Sequence, residues 1–171
     1  MKSIIHVLLF LTALAPLSLN ASTESSVIKS HVCIDHHAAL WFELENISAA
    51  SLSIDASSLP WVWWYGSKID IEDQTSGKAV EQIMPIEDPP PPTRLTVQPN
   101  KTFSGHVDLN AYFAALRQTN RDHALSIKWV INVKTSTEQV PVEGTLTVPA
   151  HFFDWNETRC NDESRTRQSK E

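Results

Sequence analysis

Five side chains able to bind a metal crowd into one short stretch: His31, Cys33, Asp35, His36 and His37. If this stretch is a strand, residues two apart point the same way, so His31, Cys33 and Asp35 share one face. His36 or His37 would then close a zinc or copper site at the strand end. That chemistry makes a metal-binding protein or a hydrolase, built on His31, His36 and His37, one reading of the chain. Against it, His106, His123 and His151 stand alone, with no second cluster of matching spacing. A Cys33 held in a disulfide also could not ligate as a thiolate. Exposed polar residues at a strand end account for the cluster more simply, so neither a metal nor any other cofactor is expected.

The second unusual group is aromatic. After Pro60 come Trp61, Trp63, Trp64 and Tyr65, interrupted only by Val62. Surfaces of this kind stack on sugars or anchor a protein partner. As a strand, the segment would instead bury Trp61, Trp63 and Tyr65 in the core on alternate positions and leave Trp64 to cover a sheet edge. Core packing is the expected role, with a binding patch as the functional alternative.

Other reactive constellations are missing from the sequence. The four glycines, Gly66, Gly77, Gly105 and Gly144, build neither a phosphate loop nor a dinucleotide fingerprint. No Gly-x-Ser-x-Gly elbow occurs. Ser26-Val27-Ile28-Lys29 matches Ser-x-x-Lys but lacks companion motifs. Carboxylate pairs such as Glu43 with Glu45, or Asp70 with Glu72, fall on the outward positions of alternating segments, where solvation explains them. No catalytic activity is expected.

What must position these residues is a set of strands. Apolar residues recur at every second place from Val27 onward, the period of a strand with one buried face. Leu40, Phe42 and Leu44 alternate with Trp41, Glu43 and Glu45; Asn46 breaks the run, and Leu52 and Ile54 resume it. Ile69 and Ile71 lead into turn residues at 73–78, and residues 79–84 are expected to return as the second strand of a hairpin. Leu95 with Val97, then Phe103, Gly105 and Val107, give two more strands. The clearest runs through Leu125, Ile127, Trp129, Ile131 and Val133, and residues 142–148 close the series before Pro149. Residues 110–117 have helix-forming composition and predict one short crossover helix. The four prolines at 89–92 predict an exposed extended connector.

The first 21 residues carry Lys2, an apolar run over 4–17 and a small residue at Ala21, the pattern of a secretory signal. The apolar run is shorter than the ~20 residues of a membrane span, so stable insertion is not expected once the signal is cut. Cleavage after Ala21 leaves about 150 residues, ordinary for a single domain, followed by a charged, disordered tail at 156–171. The formal charge of −6 disfavours nucleic acid as a partner. The two cysteines, Cys33 and Cys160, are expected to pair in an oxidising compartment. Asn46, Asn100 and Asn156 each begin an acceptor sequon for N-linked glycan.

Several phrases carry a family likeness. Leu44-Glu45-Asn46-Ile47-Ser48, then Leu52-Ser53-Ile54 and Leu59-Pro60-Trp61, resemble the opening of exported immunoglobulin-like modules. There follow Ile69-Asp70-Ile71, Ser76-Gly77-Lys78-Ala79-Val80, Leu95-Thr96-Val97-Gln98-Pro99, and Gly105-His106-Val107-Asp108-Leu109 with Tyr112-Phe113. Their order is similar to the non-catalytic β-sandwich region that precedes the catalytic domain of deuterolysin-type metalloproteases. The likeness spans about residues 38–150 and consists of strand-and-turn grammar. It implies a fold and an accessory character, and no protease activity, since the HExxH zinc helix is absent from the sequence.

The sequence therefore predicts an exported, all-β, immunoglobulin-like antiparallel sandwich of about seven to nine strands, with the domain at 22–155. Its expected role is that of a non-catalytic binding or accessory protein in the periplasm or outside the cell. The expected partner is another envelope or secreted protein. A carbohydrate-binding module using Trp61, Trp63 and Trp64 is the alternative.

Overall fold

A computed structural model describes residues 20–25, 27–84, 86, 88–154 and 160. Nine strands occur among them: β1 (Asn20–Glu24), β2 (Ile28–Ile34), β3 (Ala39–Asn46), β4 (Leu52–Asp55), β5 (Ser67–Asp73), β6 (Arg94–Val97), β7 (Thr102–Asp108), β8 (Leu125–Lys134) and β9 (Gln139–Val148). One helix, α1 (Leu116–Asp122), completes an all-β, sandwich-like fold. Every pairing is antiparallel. One layer has the order β1-β2-β3-β7, the other β5-β8-β9, and a β4-β6 ribbon joins the second layer through a bridge between Ile54 and Thr135.

The two-residue period explains why these segments become strands. Along β8 the inward positions Leu125, Ile127, Trp129, Ile131 and Val133 are all buried, while Lys128, Val130, Asn132 and Lys134 face out. β3 does the same with Leu40, Phe42 and Leu44. The two apolar faces meet where the Phe42 ring approaches Trp129 edge-on, 6.3 Å between centroids at 85°. Fully burying aromatic and branched side chains contributes roughly 1.5–3 kcal/mol each, so this seam dominates the stability of the fold. Gly144 lies opposite Trp129 in the β8–β9 register, and a Cβ there would overlap the indole. The close approach requires glycine.

Three local expectations are corrected. The hairpin turn after β5 forms as its residues predict, but residues 79–84 do not continue as a strand. Only Val80 N–H to Ile71 O and a bridge between Glu72 and Ala79 follow it; Gln82 then bridges Phe113. β5 takes β8 as its partner because Ile69 and Ile71 then join Trp129 and Ile127 on one buried face. The helix is displaced toward the C-terminus. Asp108 caps a 3-10 turn, Leu109–Ala111, through the Asn110 N–H; one further turn bonds Phe113 N–H to Leu109 O, and the bond that opens α1 is Thr119 N–H to Ala115 O. The third concerns the aromatic segment, described below.

The expected cut after Ala21 falls inside β1, whose Asn20 and Ala21 pair with Cys33 and Val32. Residues 1–19, where the rest of the expected signal falls, lie outside the described residues, as does the tail at 156–171 apart from Cys160. Cys33 and Cys160 form a disulfide, with Cα atoms 5.9 Å apart. Among the described residues no helix is long and apolar enough to cross a membrane. The proline run at 89–92 belongs to no strand, and Pro89, Pro91 and Pro92 are exposed.

Candidate functional site

The aromatic segment follows Leu59 and Pro60, where the chain curls instead of extending. Val62 N–H and Trp63 N–H both bond the Leu59 carbonyl, and Gly66 N–H bonds that of Trp63. Trp64–Gly66 is a 3-10 turn. The alternation expected of a strand is therefore lost, and the burial order is the reverse of the expected one for two residues. Trp64 is in the core at 2% exposure, while Tyr65 is exposed at 42%. Trp64 stacks on Tyr112, 3.9 Å between centroids at 7°, and meets Phe113 edge-on. Gly66 makes the curl possible, since a Cβ at that position would stand 2.7 Å from the Ser57 carbonyl oxygen.

Trp61 and Trp63 are half-buried. The Trp61 indole lies over Gly105, where any Cβ would collide with it, and packs against Phe42 and Phe103 at 6.0 and 6.3 Å. Trp63 leans on Tyr65 at 5.8 Å, and its Nε1 is buried without a hydrogen-bond partner. Beside Tyr65, a shallow open depression of about 230 Å³ runs between β5, at Lys68 and Asp70, and the loop at Gln82 and Met84. Large apolar side chains stand exposed along this part of the chain: Val62 at 40%, Tyr65 at 42%, Ile83 at 46% and Met84 at 50%. Ile83 N–H bonds the carbonyl of Tyr112, which backs the buried Trp64 ring. A rigid core thus supports an exposed apolar and aromatic ledge.

The histidine group is not gathered into a site. His31 stands on the outer face of β2, opposite Glu43 in the β2–β3 register, whereas His36 and His37 occupy the β2–β3 turn with ring centroids 3.8 Å apart. Cys33 is in the disulfide. Asp35 is committed to the turn: its carboxylate accepts the N–H groups of His37 and Ala39 at 2.9 and 3.0 Å and the Trp41 Nε1–H at 3.0 Å. Among the described residues no group of three His, Cys, Asp or Glu side chains is placed to hold a metal.

Sequence reasoning missed the pairing of Asp73 with His123. Asp73 Oδ2 accepts the Ser76 hydroxyl at 2.6 Å and faces His123 Nδ1 at 2.7 Å, while Oδ1 accepts the Thr75 N–H. The Ser76 hydroxyl bond is the largest influence holding the Asp73 carboxyl down to about 2; the Thr75 N–H and the imidazole add to it, and burial opposes them. Ser76 bonds the carboxylate, not the imidazole, so the three do not form a nucleophile–base–acid relay. The cluster shapes the turn and ties it to the start of β8. Asp73 and Ser76 were legible as turn residues, but nothing in the sequence joins them to His123.

The sequons also separate. Asn46 is fully buried, and its Nδ2 donates to the carbonyls of Ala50 (2.8 Å) and Val97 (2.9 Å), which uses both protons. Asn100 is exposed at the β6–β7 turn with φ 57°, while Asn156 lies outside the described residues. No protein-family model, no curated protein and no solved structure matches this chain.

Proposed function

We propose that this chain is an exported, non-catalytic β-sandwich that binds another envelope or secreted protein through the ledge around Tyr65 and Met84. The observation that carries this reading is the run of large apolar side chains held exposed beside an open depression, on a segment braced from beneath by Trp64. An exposed apolar cluster with charged neighbours such as Lys68 and Asp70 is the composition of a recognition surface. A sugar-binding platform has less support. Trp64 is internal, and Trp61 spends one face on Gly105, so the tryptophans do not offer a flat row of open rings. The accessory character implied by the deuterolysin-like phrases accords with the same reading.

A photo-crosslinking amino acid at position 65, with the protein returned to its own envelope or secreted fraction, tests it. The expected result is a discrete protein adduct at position 65 and none at position 134, on the exposed outer face of β8. Equal labelling at both positions, or no protein adduct at either, would contradict the proposal.

A further inference from the structure

The connection from β5 to β6, residues 74–93, is longer than the roughly 12–15 residues beyond which a connection without regular structure is commonly a functional segment. Isolated bridges at Ala79 and Gln82 tie its first half, and Ala56 N–H bonds the Thr93 carbonyl at its end. Between these ties, residues 89–92 take their shape from covalent restraint. Each proline ring fixes φ at about −65°, and each of residues 88–91, preceding a proline, is kept out of the helical region. The run is therefore a polyproline II segment, with about three residues per turn and a rise of ~3.1 Å for each.

Exposure tells its edges apart. Pro90 is half-buried and turns toward the domain, whereas Pro89 and Pro92, one turn apart, are exposed on a common edge. In sequence, one further step of three back from Pro89 reaches Ile86, whose side chain is fully exposed, at 103%. An isoleucine and two prolines thus repeat at exposed positions with the period of this helix.

What such a segment offers a partner is narrow. Prolines have no N–H, so the run cannot donate to a strand laid beside it. It presents ring faces and carbonyl oxygens; of its four carbonyls, only that of Pro91 is engaged among the described residues, by the Thr93 hydroxyl at 3.2 Å. A complementary surface must bring flat faces for the rings and donors for the carbonyls, and indole and phenol side chains bring both. Charge narrows the choice further. Glu81, Glu87 and Asp88 are the only charged residues between Lys78 and Arg94, so the partner's surface must be basic where it meets Asp88.

We infer that residues 89–92, with Ile86 and Asp88, are a ligand for a groove in another protein, lined by Trp or Tyr and rimmed by Lys or Arg beside Asp88. The run is already extended in the free chain, so little conformational entropy opposes its capture. A second copy of the chain brings a like net charge, −6 on each, and is the less favoured occupant. This surface shares no residue with the ledge at Tyr65 and Met84 and goes beyond that reading.

A photo-crosslinking amino acid at position 86 of the full chain, returned to its own envelope or secreted fraction, is expected to yield an adduct with a different protein. The probe of the groove is an acetylated and amidated peptide, Ile-Glu-Asp-Pro-Pro-Pro-Pro-Thr, which copies residues 86–93 and holds no aromatic residue. Excess peptide should abolish the adduct, and it should shift the tryptophan or tyrosine emission of the purified partner. In the full chain, Pro89→Ala combined with Pro92→Ala should weaken binding to that partner at least tenfold, and Asp88→Lys at least threefold, with melting temperatures unchanged. An adduct only with a second copy, an adduct that the peptide does not displace, or no adduct at position 86 would overturn the inference. Unchanged emission, or undiminished affinity in the folded variants, would do the same. Loss of the adduct at position 65 leaves this inference standing, because its residues are different ones.

Discussion

Asn46 illustrates how one residue can be read two ways from sequence and only one way in the fold. As a sequon residue it is a glycan acceptor; in place, its amide spans the β3–β4 connection and β6, and its Oδ1 accepts both the N–H and the hydroxyl of Ser48. Asn46→Ala would leave buried carbonyls unpaired, at about 1–3 kcal/mol, measurable by urea denaturation. In a host that attaches N-linked glycans, Asn100 should be the occupied site and Asn46 should remain bare in folded protein, as read by peptide mass mapping. Asp73 supplies a pH signature. Its carboxyl titrates below the ordinary carboxylate range in the folded chain, so its stabilisation is fully present above about pH 4 and is lost as pH falls through about 2. Acid unfolding followed by circular dichroism should be shallower over that window in Asp73→Asn than in the wild type.

At the scale of elements, the strands were legible wherever one face is buried and the other wet. β3 and β8 follow the two-residue period closely, with Ser126, expected on the outward side of β8, buried as the exception. The segment around Trp63 was not legible, because a run of aromatics fits a strand and a tight curl equally. The decision lay in Gly66 and in the repeated bonds to the Leu59 carbonyl, which tertiary contact selects. The partner of β5 was hidden for a related reason: a good turn at 73–78 predicts a local hairpin, yet a long-range strand buries more apolar surface. Trp64 and Tyr65 test the curl directly. Trp64→Ala should cost about 3–5 kcal/mol by loss of core packing, while Tyr65→Ala should change stability by less than about 0.5 kcal/mol. Thermal melts of the two variants would reverse that order if the segment were extended.

For the whole molecule, the group at His31–His37, weighed from sequence only as an alternative metal site, divides into a turn, a disulfide and a half-buried histidine, while the all-β sandwich remains. The disulfide joins β2 to a residue 127 positions away. By chain entropy, closing so long a loop contributes at most about 4–5 kcal/mol. Replacing both cysteines with serine should lower the unfolding free energy measured by denaturant titration by a large fraction of that, without altering the strand signal in circular dichroism. The β2–β3 turn next to Cys33 is secured further by α1. Asn120, buried on the helix, accepts Phe153 N–H and donates to the Pro149 carbonyl, and the Arg117 guanidinium reaches the carbonyls of His36 and Phe153. These ties bring the β2–β3 turn, the helix and the segment after β9 together, and leave the Tyr65–Met84 ledge as the prominent apolar surface.

The most direct measurement of the central proposal is calorimetric titration of the crosslinked partner, once purified, into wild-type protein and into Tyr65→Ala and Met84→Asp variants. At least a tenfold weaker affinity in both variants, with melting temperatures unchanged, is the predicted result. Equal affinity in all three proteins would contradict the assignment of the ledge as the binding surface.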